Sequence, residues 1–385
     1  MRPSDGEPLC DFAARGQWYF LPDPIACHLI SHLLSLISSF PPFRGKALEM
    51  PEKSCILSER RFSAGKCSRI KYEENEMKII IFGGTGWLGP NLSKILASHN
   101  MDITIVTRGK KQTFAGEVAG IRSIVADKND ENAMREIFET RYTHVIDTVP
   151  TVRSIENIVK YGTAVRHYLH CSSTGGYAPL PYIPCDERAR YGGFNNGTGW
   201  DKKRVVDNMV MDLFLNKGFP ATVIRPCYIT GAGMLPLDNI GGRRADFIPD
   251  LIAEKTLDLP ENGLALLQPI HVKDLAQSFY LGLTHPETAI GQIFNICLSH
   301  AVTLNRYLEI NAAAFGKKPH INYMSVEDIL AKYAGNIDET GLRFLACHMC
   351  FTIEKARREL EYVPSHTPED AIEEAAFWAA KQAGL

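Results

Sequence analysis

The sequence predicts an α/β protein: a doubly wound parallel sheet followed by a smaller C-terminal lobe. First, the apolar run Lys78–Phe82 leads directly into the glycine-rich stretch Gly83–Gly89 and then into helical spacing up to Ser98. Second, short apolar runs alternate with amphipathic segments as far as Arg225. Third, the chain after Thr230 is richer in loops. Strands that alternate with helices predict a parallel sheet with right-handed crossovers.

The overall composition is that of a globular protein and limits the possible partners. The chain has 385 residues, of which 45% are hydrophobic and 22% charged, and its net charge is −2. A near-neutral balance offers no basic surface for nucleic acid and no strong attraction to a membrane. A small neutral or anionic molecule is therefore the predicted substrate, with no nucleic-acid or membrane partner.

Residues 1–76 are predicted to be a poorly structured N-terminal extension. Their main apolar run, Ile25–Phe40, has 16 residues and includes two histidines and four serines. A membrane-spanning helix needs about 20 mostly apolar residues, and acidic residues precede the run where a secretory signal would be basic. We favour a tail or a misassigned start codon, with organelle targeting as the alternative, and expect the folded domain to begin at Met77.

The glycine-rich stretch predicts a site for the pyrophosphate of a dinucleotide. Gly83 lets the chain turn out of the strand, Gly86 lets backbone N–H groups approach the phosphates, and Gly89 lets the helix pack closely on the strand. The order of strand, glycine turn and helix is the context that this Rossmann pattern requires. The residues assigned to the cofactor from this stretch are Gly83, Thr85, Gly86, Trp87, Leu88 and Gly89.

The second predicted strand, Asp102–Thr107, bears on the choice of cofactor. Proteins that bind NAD carry an acidic residue near the end of this strand, where it binds the ribose 2′-hydroxyl. Here Arg108 follows the strand, and no carboxylate is present. Because an arginine forms charge-assisted hydrogen bonds with phosphate, the sequence favours NADP, with NAD as the alternative.

Further strands and helices alternate along the rest of this half. The predicted strands are Ile124–Asp127, His144–Val149, His167–Cys171 and Ala221–Arg225, and the predicted helices are Asn132–Glu139, Ser154–Tyr161 and Lys202–Leu215. The last helix is clearly amphipathic.

Several stretches resemble the extended short-chain dehydrogenase/reductase family, in its NAD-dependent epimerase/dehydratase group, from Met77 to the C-terminus. They are the glycine-rich turn, Cys171–Tyr177, Arg225–Gly231, Pro269–Ala276 and Gly291–Ile296, in that order. The resemblance implies an NAD(P)-binding Rossmann domain over 77–230. It also implies a substrate-binding lobe over 231–385, with a late strand near 291–297 returning to the sheet. Asp127 and Pro226 are further expected cofactor contacts.

The resemblance also implies a catalytic set: a Tyr-x-x-x-Lys pair and a serine. The family serine lies four residues before the tyrosine of its Ser-Ser-x-x-x-Tyr stretch, which here is Tyr177, so the serine is Ser173. Lys202 can fill the lysine place, but Thr198 then stands where the tyrosine belongs. In the other register the two places hold Lys203 and Gly199, so neither register supplies a phenol.

Three explanations of the missing phenol stay open. Another residue carries the proton, with Tyr177 and Asp201 as candidates; or Ser173 and an ordered water suffice; or the protein binds the dinucleotide without turnover. We favour an oxidoreductase or epimerase acting on a hydroxyl or carbonyl of a nucleotide sugar or specialised metabolite. Its predicted catalytic residues are Ser173, Lys202 and Tyr177. The alternative is a non-catalytic dinucleotide-binding sensor or scaffold.

The remaining expectations concern loops and cysteines. Arg243 and Arg244 either grip an anionic group or are solvated loop residues. Helices are expected near Ser325–Tyr333 and Pro368–Ala383. Because the cysteines lack disulfide-like spacing, we expect Cys171, Cys227 and Cys297 to be buried reduced thiols and the protein to be cytoplasmic. The Cys347–Cys350 pair is interpreted as core-facing thiols on a helix, no metal site is predicted, and family analogy suggests a homodimer.

Overall fold

The structure is a computed structural model that describes residues 77–109, 121–192 and 199–385. Strands occur along most of these ranges. They are β1 (Lys78–Phe82), β2 (Asp102–Thr107), β3 (Arg122–Val125), β4 (His144–Asp147), β5 (His167–Cys171), β6 (Ala221–Pro226), β7 (Tyr228–Thr230), β8 (Thr256–Pro260), β9 (Leu266–Leu267), β10 (Pro269–His271), β11 (Ile293–Ile296), β12 (Val302–Thr303) and β13 (His320–Met324). Seven of them form one sheet in the order β11-β6-β5-β4-β1-β2-β3. All neighbours in this sheet are parallel, which confirms the predicted fold class.

The helices cover both faces of this sheet and build the C-terminal lobe. They are α1 (Leu88–Ser98), α2 (Glu131–Ile137), α3 (Val152–Tyr161), α4 (Gly199–Lys217), α5 (Phe247–Ile252), α6 (Val272–Thr284), α7 (Pro286–Ala289), α8 (Leu304–Ala313), α9 (Val326–Lys332), α10 (Glu339–Leu345), α11 (Glu354–Leu360) and α12 (Pro368–Gln382). No helix within the described ranges has both the length and the apolar character needed to cross a membrane.

Strand β1 shows why this sequence forms a doubly covered sheet. Ile79, Ile80, Ile81 and Phe82 are all fully buried. Ile79 and Ile81 pack in the core with α1, whereas Ile80 and Phe82 pack in the core on the opposite face. An unbroken apolar run is what burial on both faces demands, since successive side chains point to opposite sides.

The strand order places a crevice at the carboxyl end of β1. The chain runs from β1 outward through β2 to β3 and then returns to the other side of β1 with β4. In open parallel sheets, ligands bind outside the carboxyl ends of the strands at such a switch point. The glycine turn, which follows β1, therefore stands at the mouth of this crevice.

The C-terminal lobe does not contain everything that follows residue 230. Its strands form three small pairs, β7 with β10, β8 with β13 and β9 with β12. Helix α6, however, packs along α1, and β11 lies beside β6 in the central sheet. The late strand expected near 291–297 thus returns to the sheet as β11, and α6, which precedes it, also packs on the first domain.

The edge strand β3 is displaced from its predicted position. We predicted Ile124–Asp127, but the strand runs from Arg122 to Val125. Its side chains are mostly exposed, with Val125 at 73%. An edge strand that is not buried on both faces needs no apolar run, so the hydrophobic pattern does not mark its bounds.

Two cysteines expected to be reduced thiols are joined. Cys227 and Cys297 form a disulfide with Cα atoms 5.4 Å apart, although 70 positions separate them in sequence. They follow β6 and β11, where Pro226 lies opposite Ile296, so the sheet register and not sequence spacing brings them together. Cys347 and Cys350 are thiols in the loop after α10, so the predicted helical location is also wrong.

Candidate dinucleotide-binding cleft

Two adjoining cavities lie at the carboxyl edge of the sheet, one on each side of the glycine turn. The smaller cavity has a volume of about 320 Å³ and is bounded by the ends of β1, β2 and β3. The larger cavity, about 840 Å³, is bounded by α1, α4 and the ends of β5 and β6. Thr85, Gly86 and Val149 line both. The two cavities together form one elongated cleft bent over the turn.

The three glycines have the geometry that a pyrophosphate site requires. Gly83 has φ +80°, and a Cβ there would lie 2.3 Å from Thr148 Oγ1. A Cβ on Gly89 would lie 2.1 Å from the carbonyl oxygen of Gly84, so α1 can approach the strand closely only with glycine. A Cβ on Gly86 would meet nothing closer than 3.6 Å, and Gly86 lines both cavities.

Helix α1 begins at this turn with its amide groups available to a ligand. Its N-cap residue, Trp87, makes no side-chain capping hydrogen bond. The first N–H groups of a helix have no intrahelical acceptor, and they carry a partial positive charge. Together with the open face of Gly86, this end of the helix fits a pyrophosphate group. Leu88 and Trp87 also line the larger cavity.

The smaller cavity contains the predicted arginine. Arg108 is exposed and lines the cavity just beyond β2. Asp127 also lines it, and its carboxylate accepts a hydrogen bond from the backbone N–H of Asn129 at 2.9 Å. Lys128 lines the same cavity, but its ammonium group forms an ion pair with the buried Asp147 at 2.5 Å. Arg108 thus presents an exposed guanidinium to the smaller cavity.

Ser173 lies in the wall of the larger cavity and is oriented to donate a hydrogen bond. Its Oγ accepts a hydrogen bond from the backbone N–H of Gly175 at 3.1 Å. That contact uses a lone pair and leaves the hydroxyl proton for another acceptor. The substrate oxygen of a hydride-transfer reaction is such an acceptor.

The structure corrects the choice of lysine. Lys203 lines the larger cavity, and its ammonium nitrogen donates to the carbonyl oxygen of Ser172 at 3.0 Å. Lys202 is exposed and does not line the cavity. Adjacent residues on a helix point about 100° apart, so the turn of α4 that faces the cavity presents Lys203 and not Lys202. The family's tyrosine place, four residues earlier, is consequently Gly199; Thr198 lies outside the described residues.

Tyr177 is not placed to take over the role of the missing phenol. It is 2% exposed, and its hydroxyl accepts a hydrogen bond from Arg225 Nη1 at 2.6 Å. Burial raises the pKa of Tyr177 to about 12. Asp201 is buried beside Arg204, 3.7 Å away. Neither residue lines the larger cavity, and its described walls contain no tyrosine, histidine or carboxylate.

Sequence reasoning assigned two cavity-lining cysteines to the core alone. Cys171 and Cys227, with Pro226, form part of the larger cavity's wall at the ends of β5 and β6. Burial raises the pKa of the Cys171 thiol to about 11. Their place at the carboxyl ends of adjacent parallel strands was a usable signal, since such ends line the crevice.

Arg243 and Arg244 hold the lobe's loop together. Arg243 donates to the carbonyl oxygens of Leu235 and Ile229, and its guanidinium lies over the rings of Trp87 and Tyr228. Arg244 pairs with Asp238 and Asp246, among other carboxylates. These contacts give Arg243 and Arg244 a structural role in the loop, in place of the expected anion binding or solvation.

A cluster of His271, His366 and Glu374 lies behind the loop that lines the larger cavity. Its geometry is that of a hydrogen-bonded support. His271 Nδ1 accepts from the backbone N–H of Lys273, so its Nε2 carries the proton and donates to Glu374 at 2.8 Å. The rings of His271 and His366 are stacked 3.7 Å apart at 13°.

Comparison with known proteins agrees with this geometry. The family model described as "NAD dependent epimerase/dehydratase family" matches residues 79–297. The chain belongs to this family. A nicotinamide dinucleotide is therefore the cofactor class for the cleft, and the glycine turn and the end of α1 fit its pyrophosphate.

Individual relatives differ in what their names describe. "Chloroplast stem-loop binding protein of 41 kDa b, chloroplastic" from Arabidopsis thaliana is 28% identical over 346 residues, covering 86% of this chain and 85% of that protein. A UDP-glucose 4-epimerase from Corynebacterium glutamicum is 23% identical, covering 79% of this chain and 95% of the epimerase. A solved dTDP-glucose 4,6-dehydratase from Bacillus anthracis in complex with NAD shares the fold with a TM-score of 0.63 at 16% identity, covering 80% of this chain and 98% of that chain.

Proposed function

We propose that this protein binds NADP(H) and transfers hydride between the nicotinamide and a hydroxyl or carbonyl group of a small molecule. The observation that carries the proposal is the joint placement of Ser173 and Lys203 in the larger cavity. They stand beyond the glycine turn from Arg108, where the nicotinamide half lies if the adenosine half fills the smaller cavity. A nucleotide sugar or a specialised metabolite is the substrate class.

The two side chains have complementary roles in this proposal. Ser173 donates its hydroxyl proton to the substrate oxygen and stabilises negative charge that develops there. Lys203 has one donor on the Ser172 carbonyl and two left for the hydroxyls of the nicotinamide ribose. The described walls contain no carboxylate, histidine or phenol, so a water hydrogen-bonded to Ser173 relays the proton through the Ser173 hydroxyl between the substrate oxygen and bulk solvent.

The preference for NADP follows from the smaller cavity. Arg108 lines it, and the end of β2 supplies no carboxylate to the ribose. A charged guanidinium is suited to a 2′-phosphate because it offers several fixed donors.

A binding and turnover experiment tests the proposal. Calorimetry should show that NADPH binds more tightly than NADH. Bound cofactor should then be oxidised or reduced, followed at the nicotinamide absorbance, with UDP-glucose, dTDP-glucose or a library of small ketones and alcohols. Ser173→Ala should slow turnover by about 10²-fold, and Lys202→Ala serves as the exposed control. Binding without turnover of any member would refute the enzymatic half.

A second candidate rests on the 28% identical relative, whose name describes stem-loop binding. In that case the protein is a dinucleotide-binding scaffold for structured RNA, and the lost phenol reflects lost catalysis. The net charge of −2 disfavours this reading, because phosphate contacts supply most non-specific affinity. Gel-shift titration of stem-loop RNA at two salt concentrations, with and without NADPH, distinguishes the candidates.

We also propose that the extension is part of the native protein and directs it to a plastid. The alignment with the chloroplastic relative covers 86% of this chain, whereas residues 77–385 are about 80% of it, so the similarity begins before Met77. Fusion of residues 1–76 to a fluorescent protein should send it to plastids; cytoplasmic fluorescence would favour the cytoplasmic location. The homodimer also remains a proposal, and light scattering of the purified protein tests it.

A further inference from the structure

A buried polar network lies directly beneath Ser172 and Ser173. Its centre is Asp207 on α4, 1% exposed, with Arg225 on β6, 3% exposed, and His170 on β5, fully buried. One carboxylate oxygen of Asp207 accepts from Ser172 Oγ at 2.8 Å and from Arg225 Nε at 2.9 Å. The other lies 2.7 Å from His170 Nε2. Although burial opposes it, these partners hold the pKa of Asp207 below its ordinary value.

Tyr191 extends this network to the next peptide. The Arg225 guanidinium carbon lies 3.6 Å from the centre of its ring. The phenol of Tyr191 donates to the carbonyl oxygen of Ser173 at 2.7 Å. The ring fills the space beside Gly176, where a Cβ would come within 2.2 Å of it. Tyr191 is thus held by Arg225 on one side and holds Ser173 on the other.

The Ser172–Ser173 segment is consequently fixed at three points. Lys203 binds the Ser172 carbonyl, Asp207 binds the Ser172 hydroxyl, and Tyr191 binds the Ser173 carbonyl. Lys203 and Asp207 are four residues apart on α4, so they share one helix face. This face fixes the lysine and the serine peptide relative to each other.

We propose that Asp207 and Tyr191 are positioning residues for the nicotinamide end of the cleft. Neither lines the larger cavity. Each holds the strand end that presents the Ser173 hydroxyl and the Lys203 ammonium to the larger cavity. A buried ion pair such as Asp207–Arg225 is weak evidence for stability, and positioning gives a reason for its place under the serines. The inference rests on the proposed function.

The test separates the two halves of the cofactor by using NADPH and its adenosine fragment 2′,5′-ADP. Tyr191→Phe removes the neutral hydrogen bond to the Ser173 carbonyl, together with the 3.2 Å hydroxyl contact with Ser172 Oγ, and keeps the ring on Arg225. We expect five- to tenfold weaker NADPH binding, the equivalent of a net hydrogen bond, and 2′,5′-ADP binding unchanged within about twofold. Tyr182→Phe is the matched control, because Tyr182 is exposed and its phenol binds Asp186.

Two further variants address the carboxylate. Ser172→Ala removes the hydroxyl that Asp207 holds and leaves the Asp207–Arg225 pair intact, and it should also weaken NADPH selectively. Asp207→Asn should weaken NADPH binding more strongly than Ser172→Ala. If Asp207→Asn does not fold, because it leaves the Arg225 charge buried without its partner, the Ser172→Ala result decides.

The outcomes are distinct. A loss confined to NADPH supports positioning. Equal losses for NADPH and 2′,5′-ADP, or no loss for either, overturn it. If the wild-type protein binds neither probe, the proposed function itself fails, and this inference falls with it.

Discussion

The two halves of the cleft differ in which part of the chain forms the site: the backbone in one half and side chains in the other. Around the smaller cavity and the turn, the features that matter are backbone ones: the positive φ of Gly83, the bare face of Gly86 and the close approach at Gly89. Around the larger cavity they are side chains, namely Ser173 and Lys203, held by a network that reaches Asp207 and Tyr191. The first half retains the family's glycine pattern but has Arg108 where NAD-binding proteins carry a carboxylate, and the second half has no phenol in either possible register of the tyrosine. Binding a dinucleotide and reacting with it can therefore be tested by separate substitutions.

The strongest test of the backbone half compares two glycines. Gly89→Ala should destabilise the fold by about 3 kcal/mol, because its Cβ would lie 2.1–2.5 Å from backbone atoms of Gly84 and overpacking against backbone is costly. Gly86→Ala should keep the melting temperature yet weaken NADPH binding by about 10²-fold, since the methyl group occupies the phosphate space. Thermal unfolding and calorimetry check both. Equal stability of the two variants would contradict the packing argument.

The side-chain half is tested by two neighbouring lysines. Lys203→Ala removes a charged donor from the larger cavity and should weaken NADPH binding by roughly 10- to 100-fold, the range for hydrogen bonds to charged groups. Lys202→Ala, at an exposed position, should change it less than about twofold. The reverse ranking would restore the lysine predicted from the sequence.

Two buried histidines at the opposite, amino edge of the sheet allow a test of folding stability that involves neither cavity. His144 and His167 lie at the amino ends of β4 and β5, and burial lowers their pKa values to about 4 and about 3. Their folded pKa values are below the unfolded value of about 6.5. Their contribution to stability is thus present above pH 6.5 and is lost as the pH falls towards 4 and 3.

The expected slope is up to about 1.4 kcal/mol per pH unit for each histidine. Urea unfolding between pH 7 and pH 5 measures it, and His167→Asn should reduce it, whereas His300→Asn, at a half-exposed side chain, should not. An unchanged slope in His167→Asn would remove that residue from the explanation.

The smallest expected effect concerns cofactor preference. Arg108→Ala should weaken NADPH binding about five- to tenfold, because one exposed charge-assisted contact with the 2′-phosphate is lost. NADH binding should stay the same, and the ratio of the two dissociation constants is the measurement. A parallel loss for NADH would mean that Arg108 serves the turn and not the phosphate.

The success of prediction from sequence followed the same division between the halves. β1 and the glycine turn were predictable because an apolar run and three glycines are local features with local causes. The edge strand β3 was misplaced because its side chains are largely exposed. The choice between Lys202 and Lys203 failed because it depends on the rotation of α4, which Asp207, Ser172 and the sheet set together.

By itself, the sequence determined the fold class, the place of the glycine turn after β1 and the absence of a phenol from both possible registers. Only the tertiary structure decided that Tyr177 is buried on Arg225, that Cys227 and Cys297 are bonded, and that Arg243 supports a loop. The reason is physical. Backbone conformation and burial pattern are encoded by neighbours in the chain, whereas a side chain's role depends on partners that the sheet brings together from positions tens of residues away.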